Sequence, residues 1–230
     1  MSNWLSSSLF YGAVISILAY EAGLLIRRRF KLAILNPLLL AVIIVMGVNA
    51  VLKIDYEAYN GGAQYLSYLL TPTTVCLAVP MYEQLTLLKD NWKAVVSGLL
   101  AGVLSSMGSV WALSMLFGLD HTMYVTLLPK SITTAIGMGV SQELGGIVTI
   151  TVAVIIITGI LGNVLADVIF RLFRVTNPIA RGLALGAASH AIGTARAIEY
   201  GPVEGAMSSL AIAVSGLLTV VGASFFAQLL

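Results

Sequence analysis

The run AVVSGLLAGVLSSMGSVWALSMLFGL fills residues 94–119 and contains no Asp, Glu, Lys or Arg. It exceeds the roughly 20 apolar residues that a helix needs to cross the hydrocarbon core of a bilayer. Similar runs recur on both sides. Residues 32–52, 58–82, 144–166 and 205–230 are also free of charge, and 4–26 holds only Glu21. Over 230 residues, 59% are hydrophobic and 10% charged, whereas a soluble domain carries about 25% charged residues. The runs therefore predict a multi-spanning helical membrane protein. The net charge of +2 gives no reason to expect a nucleic-acid partner. The single cysteine, Cys76, excludes an internal disulfide and is read as a small buried residue.

Basic residues set the orientation. They cluster at Arg27–Lys31, at Lys89 and Lys93, and at Arg171, Arg174 and Arg181, and the positive-inside rule places all three clusters in the cytoplasm. No basic residue precedes the first run and three arginines follow it, the reverse of a secretory leader. That run is expected to be a retained helix entering from outside. Two segments, 122–145 and 178–200, are more broken. Parity makes 122–145 start and finish outside, which predicts a re-entrant hairpin; the alternative is a loop tip in the outer water. Shifting the chain by about 120 residues lays 32–52, 58–82 and 94–119 over 144–170, 178–200 and 205–230, with opposite directions. Identities are few, among them Thr74 with Thr194 and Gly102 with Gly222. The expected fold is an all-α membrane protein of about seven transmembrane helices plus a re-entrant hairpin, with a three-span inverted repeat and broken helices at the midplane. It forms one integral membrane domain over 1–230: N-terminal helix 1–31, first repeat 32–119, hairpin 122–145, second repeat 146–230. Inverted repeats with interrupted helices characterise secondary transporters.

The interruptions hold the chemistry. Thr71-Pro72-Thr73-Thr74 reads as a helix start in mid-span, with Thr71 as N-cap and Pro72 in the first turn. The alternative is a proline-kinked helix. Ser189-His190-Ala191-Ile192-Gly193-Thr194-Ala195-Arg196 interrupts the second broken segment near its middle. Arg196 is read as an anion ligand or, alternatively, as the partner of Glu199 at the interface. In the hairpin, Lys130, Ser131, Thr133 and Thr134 would be unsatisfied in lipid. Two helix N-termini, these hydroxyls and the cations Lys130 and Arg196 point to a small anion, a carboxylate above all. His190 is a candidate proton carrier. The candidate site is thus Thr71, Thr73, Thr74, Lys130, Ser131, Thr133, Thr134, Ser189, His190, Gly193, Thr194 and Arg196.

Enzyme signals are poor. No metal-ligand spacing surrounds His121 or His190, and no phosphate loop or GxGxxG is present. Lys130 and Ser131 are neighbours whose side chains would diverge on a helix, which argues against a Ser–Lys dyad. No enzyme activity, metal or cofactor is expected.

These segments resemble the LrgB/CidB family of bacterial membrane proteins. The likeness rests on Leu70-Thr71-Pro72-Thr73-Thr74-Val75 with Pro80, on Leu128-Pro129-Lys130-Ser131-Ile132-Thr133-Thr134, and on Gly159-Ile160-Leu161-Gly162. Its most specific block runs from Ala180-Arg181-Gly182-Leu183-Ala184-Leu185-Gly186 through Ser189-His190-Ala191-Ile192-Gly193-Thr194-Ala195-Arg196 to Ser209-Leu210-Ala211. Ala135 stands where family members often have proline, and Asn163 where a small or apolar residue is commoner. The resemblance implies a multi-pass protein of the bacterial cell membrane. It also implies either transport of pyruvate or of glycolate- and glycerate-like acids, or a holin- or antiholin-like effect on murein hydrolase activity and lysis. A small LrgA/CidA-like membrane subunit is the implied partner, and a homodimer is expected from the habit of such carriers. Taken together, the expectation is a transporter or facilitator of small carboxylates working by alternating access at a midplane anion site. The alternative is the holin/antiholin-like modulator.

Overall fold

A computed structural model describes residues 8–30, 35–76 and 78–230; the side chains of Leu70, Thr71, Thr74, Pro80 and Met81 lie outside that description. All regular structure among the described residues is helical. The chain divides into two compact units, Met1–Cys76 and Leu77–Leu230.

The first unit contains α1 (Tyr11–Phe30), α2 (Pro37–Leu52), α3 (Tyr56–Ser67) and α4 (Leu70–Cys76). Asn36 starts α2 by accepting from the Leu38 and Leu39 amides at 2.8 and 3.3 Å, with Pro37 in the first turn. Such a cap contributes about 1 kcal/mol. Glycines let the backbones meet: a Cβ on Gly12 would lie 2.4 Å from the Ala63 amide nitrogen, and one on Gly23 2.7 Å from the Pro37 carbonyl oxygen. The run 58–82 is interrupted at Tyr68 and Leu69, so α4 begins one residue before Thr71. Cys76 is exposed, not buried as expected. In a chain that meets lipid, a small apolar residue needs no protein around it.

The second unit contains α5 (Ala78–Glu83), α6 (Leu85–Asp90), α7 (Trp92–Phe117), α8 (His121–Leu127), α9 (Thr134–Glu143), α10 (Val148–Leu172), α11 (Pro178–Tyr200) and α12 (Pro202–Phe226). Among the described residues three helices are long and apolar enough to cross a membrane: Trp92–Phe117, Val148–Leu172 and Pro202–Leu229. Helices α7 and α12 run the same way. Val95 and Leu99 pack with Ala206, Met207 and Ala211, while Val103, Met107 and Val110 pack with Ala223 and Ala227. The sequence expectation had 94–119 and 205–230 running oppositely.

The reason lies in α11, which folds back on itself. His190 has φ 42° and ψ −135°, inside an otherwise helical run. A side chain there is strained, because its Cβ crowds the backbone. In a straight helix Arg181 and Tyr200 would stand about 28 Å apart. Here the Arg181 guanidinium lies 6.0 Å from the centre of the Tyr200 ring. Leu185 and Ala197 share one buried cluster, and a Cβ on Gly193 would sit 2.3 Å from the Leu185 carbonyl oxygen. The expected crossing by 178–200 is therefore corrected: this segment returns to the end from which it started. Helix α12 therefore sets out from the end at which α11 began.

Helices α8 and α9 flank a non-helical tip, 128–133. Asp120 caps α8 by accepting from the Met123 amide at 2.8 Å. Thr151 of α10 ties the pair down: its Oγ1 lies 2.9 Å from the Thr126 carbonyl and 2.7 Å from Ser141 Oγ, and all three residues are buried. The tip is buried too: Leu128, Ser131 and Ile132 are 1%, 7% and 2% exposed.

Candidate substrate cavity

Two non-helical tips, 128–133 and Ser189–His190, meet the walls of one cavity of about 960 Å³. One wall is the face of α7 that carries Ala94, Gly98, Gly102, Ser105, Ser106 and Ser109. These positions recur at helical spacing, and their small side chains leave the space empty. A Cβ on Gly102 would make only an ordinary contact, 3.5 Å from the Ala187 Cβ. The opposite walls come from α10, through Thr158 and Gly162, and from the first half of α11. Asn91 and Asn177, at the starts of α7 and α11, mark one end of the cavity; Lys130, Ser131 and Ser189 mark the other.

The Lys130 ammonium donates to Ser106 Oγ at 3.2 Å and to Ser131 Oγ at 3.1 Å. Ser106 Oγ donates to Ser131 Oγ at 2.9 Å. No described carboxylate pairs with Lys130. An ammonium has three N–H donors and each hydroxyl one. Two N–H bonds and one O–H bond are made within the trio, so one N–H and one hydroxyl hydrogen remain. The count holds whichever way the hydroxyl–hydroxyl bond points. This end of the cavity is rich in donors and carries uncompensated positive charge.

Lys130 and Ser131 thus converge, which corrects the sequence argument that they diverge. That argument holds on a helix, and they lie on a turn. No His, Asp or Glu lines the cavity.

Ser189 is 1% exposed, and its hydroxyl has no hydrogen-bond partner. It presses onto α10 where a Cβ on Gly162 would lie 1.7 Å from Ser189 Oγ. Gly159 does the same for His190, whose ring lies 2.7 Å from the corresponding Cβ position. The Gly159-x-x-Gly162 spacing therefore seats the α11 tip. His190 Nε2 lies 3.0 Å from the Ile155 carbonyl oxygen, so that nitrogen carries the proton and donates. Asn163 Nδ2 donates to the Ile192 carbonyl at 3.0 Å, which gives the unusual Asn163 a role in holding the returning strand of helix.

The other expected site residues are placed differently. Thr194 Oγ1 lies 2.7 Å from Ser208 Oγ and ties α11 to α12, while Gly193 lets the two halves of α11 close. Thr133 and Thr134 are half-buried at the start of α9. Arg196 is engaged on both arms, by Asp167 and by Glu199, each at 2.5 Å, and it lies 4.9 Å from the Tyr200 ring centre. Tyr200 also donates to Asp167. Thr71, Thr73 and Thr74 belong to α4 of the first unit, and Thr73 is exposed. Sequence reasoning missed Ser106 and Asp167. The signal for Ser106 was available: Gly98, Gly102, Ser105, Ser106 and Ser109 gather small and polar side chains at helical spacing in a charge-free span. Among the described residues no cluster of His, Cys, Asp or Glu is arranged to hold a metal ion.

Residues 16–229 match a model of the LrgB-like family. Proteins named "Antiholin-like protein LrgB" from Bacillus mycoides (strain KBAB4) and Bacillus cereus (strain B4264) are each 37% identical over 213 residues. That spans 92% of this chain and 93% of each relative. The protein of the same name from Bacillus anthracis (strain CDC 684 / NRRL 3495) matches equally. No solved structure matches the chain.

Proposed function

Because this chain belongs to the LrgB-like family, we propose that it is a carrier of small carboxylates in the bacterial cell membrane, with the cavity of its second unit as the path. The observation that carries this reading is the meeting of two buried, broken tips at one polar cavity end. Non-helical backbone inside a membrane is tolerated where it is buried in protein or lines a wet cavity.

The proposed topology has six crossings and two re-entrant hairpins, instead of seven crossings and one. Lys89, Lys93, Arg171, Arg174 and Arg181 flank the α7, α10 and α11 ends that adjoin Asn91 and Asn177, and the positive-inside rule puts those ends in the cytoplasm. The 121–143 hairpin then enters from outside and 178–200 from inside. Each follows one crossing helix, α7 or α10. An inverted repeat of helix plus hairpin, 92–143 over 148–200, thus replaces the three-span scheme. The cavity is the inward-facing half of an alternating-access cycle. Pyruvate and glycolate- or glycerate-like acids are the proposed cargo. Arg196 remains a candidate ligand in another step of the cycle; Thr71, Thr73 and Thr74, which belong to the first unit, are given no place in this cavity. A small LrgA/CidA-like subunit and a homodimer belong to the proposal, and co-purification with and without that subunit tests both.

Uptake of radiolabelled pyruvate into proteoliposomes holding only the purified protein tests the carrier reading. Saturable uptake supports it; uptake equal to that of empty liposomes refutes it. The names of the Bacillus relatives favour a second reading, antiholin-like control of lysis. That reading predicts altered autolysis on deletion even when pyruvate flux is nil.

A further inference from the structure

The carrier reading leaves open which atoms recognise the cargo. We propose that Ser106, Lys130 and Ser131 hold its carboxylate, and that the Ser189 hydroxyl reads an oxygen on the adjacent carbon.

The first part follows from the hydrogen count at the cavity end. The trio bonds within itself at 2.9 to 3.2 Å and keeps one N–H and one O–H in reserve. A carboxylate has two oxygens and four lone-pair sites, so it can take both reserve donors. The cargo carboxylate supplies the countercharge to the Lys130 ammonium that no described carboxylate supplies. A neutral or cationic solute would leave that charge unpaired in a low-dielectric site, which is costly. Ser106 comes from α7 and Ser131 from the opposing hairpin tip, so the bound anion bridges the two elements.

The second part follows from Ser189. Among the described residues with a buried side-chain nitrogen or oxygen that lacks a partner, it alone lines the cavity. A buried hydroxyl left without a partner is destabilising, and a ligand oxygen that bonds it removes that penalty. A serine side chain has three staggered positions. In the one observed it packs on Gly162, which lines the cavity beside it; reading the cargo requires that another staggered position face it. A hydroxyl donates to a 2-oxo oxygen and accepts from a 2-hydroxy group, so one residue serves both classes of acid. The remaining lining near it, Ala187, Ala188 and Leu161, offers apolar contact for a methyl group and nothing to a second charge.

The test is binding by the full-length protein in detergent, followed by isothermal titration with pyruvate, lactate and propionate. Propionate has the same carboxylate and no oxygen on the adjacent carbon. Folding of each variant is checked by its ligand-free melting midpoint. The parent should bind pyruvate and lactate more tightly than propionate. Ser189→Ala should bring all three to the parent's affinity for propionate, with propionate unchanged. Lys130→Gln should weaken all three by about ten- to a hundredfold, the range of a charge-assisted hydrogen bond. Ser106→Ala should weaken all three by a smaller, common factor. Equal loss of all three acids in Ser189→Ala, or no loss, overturns the role of Ser189. A folded Lys130→Gln protein that binds like the parent overturns the carboxylate site, and the carrier reading then survives if the parent still takes up pyruvate into proteoliposomes. A parent that binds none of the acids overturns both. Should Lys130→Gln not fold, Lys130→Arg decides: retained binding of all three acids supports the site, and its complete loss alongside an unchanged melting midpoint overturns it.

Discussion

Arg181 and Tyr200 occupy the first turn and the last residue of one helical segment, yet the guanidinium lies 6.0 Å from the ring centre. Phe170 of α10 joins them, its ring centre 6.1 Å from that of Tyr200. The pairing requires the segment to double back at His190, so α10 ends, α11 starts and ends, and α12 begins in one place.

Cysteine accessibility checks this arrangement. In a Cys76→Ser background, single cysteines at Thr176 and Val203 should both resist an impermeant thiol reagent applied to intact cells, and both should react in inverted vesicles. Cysteines at Asp120 and Gln228 should react from outside. Opposite behaviour of 176 and 203 would restore 178–200 as a crossing helix.

Two glycines on the cavity wall should respond in opposite ways. Gly162→Ala places a methyl group where Ser189 Oγ already sits, 1.7 Å away. Overpacking of this kind costs about 1–3 kcal/mol, and the melting midpoint of the purified protein should fall. Gly102→Ala meets only the Ala187 Cβ at 3.5 Å and should melt like the parent. Gly102→Leu, which reaches into open space, should fold and lose pyruvate uptake. Equal melting of Gly162→Ala and the parent would mean that the tip does not rest on Gly162.

Much of this was legible. Charge-free runs announced the three long helices because the bilayer core demands about 20 apolar residues per crossing. The segment 178–200 was bounded at Pro178, which the structure places in the first turn of α11, where its missing N–H costs nothing. The polar pair Ser189-His190 marked its break. The fold-back was hidden, because 23 residues of helix suit one crossing as well as two half-crossings, and contacts such as Arg181 with Tyr200, or Phe170 with Tyr200, decide between them. Pairings of that kind leave no trace in local spacing. Asp167 escaped notice for the same reason: it stands at the edge of an apolar run, and its partners Arg196 and Tyr200 come some thirty residues later.

The Arg196 cluster predicts a coupled pair. Both arms of Arg196 are taken, and Asp167 also receives the Tyr200 hydroxyl. Arg196→Gln and Asp167→Asn should each lower stability by about 1 kcal/mol, since hydrogen bonds to charged groups are worth about 1.5–3 kcal/mol and partial exposure discounts them. The double variant should cost less than the sum, as expected for groups in one network. Additive losses would show that the pair is not a unit. A large drop in pyruvate affinity in a fully stable Arg196→Gln protein would show that Arg196 meets the cargo as well as bracing the tip.

The central claim is that the cavity of the second unit is the path of the cargo and opens to the cytoplasm. A single cysteine at Ser105, which lines that cavity, tests it most directly in a Cys76→Ser background. The rate of its reaction with an impermeant thiol reagent is measured from each side of oriented vesicles, with and without saturating pyruvate. The account predicts reaction from the cytoplasmic side, slowed by pyruvate but not by an uncharged solute of the same size, and loss of pyruvate flux once the cysteine is modified. Reaction at one rate regardless of pyruvate, with flux intact after modification, would contradict it.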